Sequence, residues 1–351
     1  MTGQLSSYGG NPRVVAAEHE IARVARQLAA VEHLLAKVFA LSELTLPLEP
    51  TPKHFLLLAQ LPIWLARLRY LQFCLWVSSQ SYFTVEGRLR NLMHDLLPGV
   101  TKTLAMGIAA PLISSKEFRA FLVGSAKFDS APSSLRSMMD RLRKTEALPG
   151  GSLRIESWAE GGRSHFIAYL PGTQDQSLRL GSNPLNLNSN LQAFAGSRSD
   201  SQSAVLLALQ RAGVKPGDEV IFVGHSQGSL VAANIAQHPV GLNVSTILSF
   251  AGPMVAVGAL SKTKVLAFEH TSDPVPFMAG KANPLASNWL TVQATPRVSG
   301  MAAHELKSYG PMTSLADKET SASIATARAN LLARITPKRV KVQIIRLKRK
   351  L

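Results

Sequence analysis

Of 351 residues one is a cysteine, Cys74, so neither an intramolecular disulfide nor a cysteine-rich zinc cluster can hold this chain together, and its fold must stand on packing. Charge is scarce too. Charged residues make up 17% of the chain and hydrophobic residues 46%, against roughly 25% charged in an ordinary domain, which excludes disorder of the whole. Uninterrupted apolar runs are missing: the longest, Phe55 to Val77, is broken by Arg67 and Arg69. A membrane span needs about 20 apolar residues with few charges, so this segment reads as a buried or interfacial helix. No apolar segment follows the polar start MTGQLSSYGGNPR. A Sec-type signal peptide is therefore not expected, and the chain reads as cytoplasmic or membrane-peripheral.

Acidic residues are the scarcer sign, 22 against 38 basic, for a net charge of +16. Seven of the cations, Lys338, Arg339, Lys341, Arg346, Lys348, Arg349 and Lys350, fall in residues 336–351, which contain no acid. The rest of the chain is only mildly basic and carries no base-reading motif, which argues against nucleic acid as a partner. The tail has two readings. Its cations suit a surface-steering segment for an anionic membrane, whereas the alternation Val340, Val342, Ile344 suits a terminal edge strand.

The length suits two domains. From Val14 the apolar residues Ala17, Ile21, Val24, Leu28, Val31, Leu35 and Val38 follow at alternating steps of three and four, a helix with one sticky seam. Pro47, Pro50 and Pro52 end it, and helical text resumes from Lys53 to about Ser79, from Val85 to Leu97 and between Thr101 and Lys144. Residues 1–148 are thus expected to form an all-helical N-terminal domain. At Pro149-Gly150-Gly151 the pattern changes. SLRIESW and HFIAYL read as a strand pair around Glu160-Gly161-Gly162, and from VIFVG (220–224) strands alternate with helices. Residues 149–335 are expected to form a doubly wound, mostly parallel α/β sheet.

Gly224-His225-Ser226-Gln227-Gly228 lies directly after the apolar strand and directly before a helix. That is the setting of a nucleophile elbow, in which the serine backbone is strained and Gly224 and Gly228 leave room for the neighbouring strand and helix. Serine needs a base, and in such a fold the order is serine, acid, histidine. His304 is the histidine remaining after the acid region, since His238 and His270 lie too early. Asp273, in HTSDPVP past the strand KVLAFE, is the favoured acid, with Glu269 at the strand's end as runner-up, while Asp317 follows the histidine. An oxyanion would need two preorganised N–H donors. One is expected from the Gln227 amide, the other from the amide of Thr173 or Gln174 in the turn Pro171-Gly172-Thr173-Gln174-Asp175.

With PGTQD after a strand, the elbow GHSQG, an acid in a loop ending DPVP, and His304 followed by Tyr309, residues 152–335 resemble the lipase-type α/β-hydrolases of bacteria, especially actinobacteria. The resemblance implies an α/β-hydrolase fold and a serine hydrolase of carboxylic esters or lipids working through an acyl-enzyme on Ser226. It also implies Asp273 and His304 as the remaining triad and an oxyanion site near Thr173, Gln174 and Gln227; the sequence itself shows no metal cluster and no phosphate-binding glycine loop, so no metal or cofactor is expected. The resemblance does not reach the N-terminal helices. These resemble, more loosely, helical hairpins exported by type VII secretion, where a Tyr-x-x-x-Asp/Glu signal follows the hairpin, and Tyr82 to Glu86 fits those letters; export without a Sec signal is the alternative location. A competing reading makes the helical half a membrane- or partner-binding module on a non-catalytic hydrolase scaffold.

Overall fold

A computed structural model describes residues 117–350 apart from 177–180, 195–197, 259, 278–282, 285, 287 and 321. The seam from Val14, the segment Phe55–Val77, Cys74 and the Tyr82–Glu86 letters lie outside the described residues.

The described chain is a mixed α/β fold around a nine-stranded sheet. Its strands are β1 (Phe118–Leu122), β2 (Lys127–Ser130), β3 (Ser152–Glu160), β4 (Arg163–Leu170), β5 (Glu219–His225), β6 (Asn243–Phe250), β7 (Lys264–His270), β8 (Trp289–Ala294) and β9 (Arg339–Arg349). Its helices are α1 (Leu135–Glu146), α2 (Leu187–Phe194), α3 (Asp200–Ala212), α4 (Gln227–Gln237), α5 (Pro274–Phe277), α6 (Met301–His304), α7 (Gly310–Lys318) and α8 (Ala322–Leu332). The strand order is β1-β9-β3-β4-β5-β6-β7-β8, with β2 also on β9. Strands β4 to β8 pair in parallel, and β9, β3 and β4 pair antiparallel in succession. Strands β4 to β8 and β9 therefore run one way, and β1, β2 and β3 the other.

Alternation along the strands divides the core into two layers, because successive side chains leave a strand on opposite faces. Phe166, Ala168, Val220 and Phe222 pack on one face with Ala204, Val205, Ala208 and Leu209 of α3. Ile167, Tyr169, Ile221 and Val223 pack on the other with Leu135, Met138, Met139 and Leu142 of α1. In α1 these residues recur at the i, i+3, i+4, i+7 spacing of one helical face. Ser134 and Ser137 form a capping box at its start, and Asp317 accepts from the Leu135 and Arg136 amides at 2.9 Å each. The far end of α1 delivers Glu146 to the carboxyl edge of the sheet.

Two expectations are corrected. Within the stretch read as helical between Thr101 and Lys144, Leu135–Glu146 is a helix, α1, but Phe118–Leu122 and Lys127–Ser130 are strands β1 and β2, so the boundary at 148 does not hold and residues 118–148 belong to the α/β fold. The hydrogen bonds of Phe118–Leu122 come from residues 345–349, a partner that local periodicity cannot reveal. The described part of the segment expected over 336–351 is neither a solvated tail nor an edge strand: β9 lies inside the sheet between β3 on one side and β1 and β2 on the other. Val340, Val342, Ile345 and Leu347 are buried there, and the buried Arg349 pairs with Asp200 and donates to the Gly181 carbonyl at 2.7 Å. Among the described residues no helix is long and apolar enough to cross a membrane.

Candidate active site

Ser226 sits between the end of β5 and the start of α4 with φ 49° and ψ −116°. This conformation costs roughly 1–3 kcal/mol for a residue with a Cβ. Its neighbours explain the two glycines. A Cβ on Gly224 would meet the Ser229 nitrogen at 2.6 Å, and one on Gly228 would meet the Leu170 carbonyl oxygen at 2.0 Å. The Ser226 amide is held by the Phe250 carbonyl at 2.9 Å, which fixes the turn against β6.

Asp273 and His304 come together. Asp273, in the turn after β7, is fully buried, and the His304 Nδ1–H lies 3.0 Å from each of its carboxylate oxygens. Tyr309 donates its hydroxyl to Asp273 Oδ2 at 2.7 Å, and the Val275 amide donates to Oδ1 at 2.9 Å. Burial, with the Asp273 charge beside it, pushes the Tyr309 hydroxyl well above its ordinary value, so it stays a donor. Glu269 is engaged elsewhere, accepting from Asn283 Nδ2 at 2.6 Å and Gln293 Nε2 at 3.4 Å. Asp317 is occupied at the start of α1. The elbow meets this pair through His225, whose ring lies 4.9 Å from that of His304.

The turn after β4 also reaches the elbow: a Cβ on Gly172 would meet the Ser226 Cβ at 3.4 Å. Its amides are not equivalent. Gly172 donates to Glu146 Oε1 at 3.0 Å and Gln174 donates to the Leu185 carbonyl at 2.9 Å. Gln174 is therefore corrected from candidate oxyanion donor to a residue that holds the turn. Its side-chain oxygen accepts from the Gly151 amide at 2.6 Å. Thr173 is positioned through its hydroxyl, which accepts from Asn190 Nδ2 at 2.7 Å. The Gln227 amide lies in the first turn of α4, where N–H groups have no intrahelical acceptor, and Ser226 makes no side-chain cap to that turn. The Gln227 side chain donates to the Asn186 carbonyl at 3.0 Å.

Two functional groups escaped the reading of the sequence. Glu146 closes a helix that had been assigned to another domain, and His225 appeared only as a variable letter of the elbow. In the fold His225 Nδ1 lies 2.7 Å from Glu146 Oε1 and Nε2 lies 2.9 Å from the His304 carbonyl oxygen. Burial pushes the His225 imidazole down, but the Glu146 charge, the hydrogen bonds to Glu146 and to the His304 carbonyl, and Asp273 together raise it above its ordinary value. Burial pushes Glu146 up, and the His225 charge with the bonds from His225 and Gly172 outweighs this and holds the carboxyl below its ordinary value.

Among the described residues no group of three or more His, Cys, Asp and Glu side chains gathers as metal ligands. Comparison of the chain with protein-family models, curated proteins and solved structures finds no match in any of the three.

Proposed function

We propose that the chain is a serine hydrolase of carboxylic esters or lipids, built on an α/β-hydrolase fold. The reading is carried by one observation: a strained serine stands at a strand-to-helix elbow whose preceding residue, His225, packs its ring 4.9 Å from that of His304, a histidine hydrogen-bonded to a fully buried aspartate. In this reading His304 Nε2 takes the Ser226 hydroxyl proton while Oγ attacks the substrate carbonyl carbon. The Gln227 and Thr173 amides receive the oxyanion. His304 returns the proton to the departing alkoxide, and water, activated in the same way, releases the acid and frees Ser226. Asp273 holds Nδ1–H and stabilises the imidazolium without taking its proton. The acyl-enzyme forms and breaks on one oxygen, so the cycle calls for no metal or cofactor.

Labelling by a fluorophosphonate probe tests this, alongside hydrolysis of nitrophenyl esters of graded chain length. Wild type is expected to label at one serine and Ser226→Ala to lose both label and turnover while remaining folded. Alanine can occupy a positive φ: Ala251 does so here, at 55°. Undiminished labelling of Ser226→Ala removes the assignment.

A further inference from the structure

We infer that Glu146 and His225 form an ion pair, carboxylate and imidazolium, that positions two segments against the elbow, namely the turn after β4 and the backbone of His304. What is positioned rests on the serine-hydrolase reading; the ion pair itself does not. Both ring nitrogens of His225 face acceptors, the Glu146 carboxylate at 2.7 Å and the His304 carbonyl at 2.9 Å. A neutral imidazole has one N–H. It would set a bare nitrogen lone pair against an oxygen lone pair in a buried site, which is costly. With both nitrogens protonated, every contact becomes a hydrogen bond, and the one to the carboxylate is charge-assisted.

The same carboxylate oxygen accepts from the Gly172 amide at 3.0 Å. Glu146 Oε1 thus ties the end of α1 to the turn that carries Thr173 and to the elbow, and His225 carries the tie on to His304. The charged and titratable groups facing His225 are Glu146 at the end of α1, Asp273 from the turn after β7 and the ring of His304 on α6. Glu146 and Asp273 favour the imidazolium. Removing the Glu146 charge leaves the Gly172 amide and His225 Nδ1 facing a neutral group, so the ring loses its second proton at lower pH and the turn loosens. These are positioning residues, acting through Gly172 and His304 rather than on substrate.

Two measurements on the full chain decide the matter. In the nitrogen-15 spectrum of histidine-labelled wild type at pH 6, the His225 ring, assigned by its disappearance in His225→Gln, is expected to carry protons on both nitrogens. A single ring proton overturns the ion pair, and this reading needs only wild type should a variant fail to fold. The second measurement is the rate of fluorophosphonate labelling against pH. Glu146→Gln is expected to slow labelling by between about ten- and a hundredfold, the cost of a small misplacement, and to move the alkaline loss of reactivity to lower pH. A merely structural role would lower the melting temperature without moving that limb. An unchanged rate and profile in folded Glu146→Gln overturns the positioning role. Wild type that takes no label at all overturns the hydrolase reading and with it the positioning, while the ring-proton spectrum still decides the ion pair.

Discussion

A carboxylate that accepts from an imidazole, a phenol and a backbone amide while fully buried is held in one orientation, and Asp273 has all three donors. Asp273→Asn keeps the shape but presents an N–H₂ group where His304 needs an acceptor, favouring the wrong tautomer. Turnover is expected to fall by about 10⁴-fold, the magnitude for such a change in a serine triad. Glu269→Gln, whose partners are Asn283 and Gln293, is expected to change turnover by less than about threefold, since it alters an interaction away from the histidine. Steady-state kinetics on one soluble ester compares the two, and the reverse ranking moves the acid role to Glu269. The strained turn at Ser226 and the pairing of Asp273 with His304 were legible because the order serine, acid, histidine singles out these residues. Glu146 was not: it meets His225 across 79 residues, and nothing in LRSMMDRLRKTE distinguishes its last glutamate from a solvated helix terminus.

Strand β9 shows how an element can announce its type and conceal its place. The alternation Val340, Val342, Ile344 made a strand readable, yet seven cations in sixteen residues made the segment look like a surface tail. Pairing resolves the conflict, because β9 hydrogen-bonds β3 along one flank and β1 and β2 along the other. Its buried Ile345 and Leu347 then belong to the same layer as Leu153 and Ile155, while Arg339, Lys341 and Lys348 stay exposed. Ile345 is fully buried, so Ile345→Ala is expected to cost about 2–5 kcal/mol of unfolding free energy. Lys341→Ala is expected to stay within about 0.5 kcal/mol. Chemical denaturation measures both. A surface anchor would show neither difference, and only a vesicle-binding assay would register the lysine.

At the scale of the whole molecule, the layered core was readable from strand periodicity, but the link between global stability and pH was not, because it depends on groups that meet only in the fold. His225 is raised above 6.5 in the folded state. Its contribution to stability is therefore complete below the unfolded value and is lost as pH rises through the folded one. Glu146 is lowered from 4.5, so its contribution is complete above that value and is lost as pH falls through the folded one. Both are complete together only between about 4.5 and 6.5. The difference in unfolding free energy between wild type and Glu146→Gln is expected to peak in that window. Its height should be about 1.5–3 kcal/mol, as for hydrogen bonds to a charged group, and it should shrink on the alkaline side as His225 gives up its second proton and the ion pair decays to a single neutral donor. Urea titrations of the two proteins from pH 4 to pH 9 provide the comparison. A difference that stays flat across the range would mean that Glu146 supports the fold through its bond to Gly172 alone, with no charge on His225.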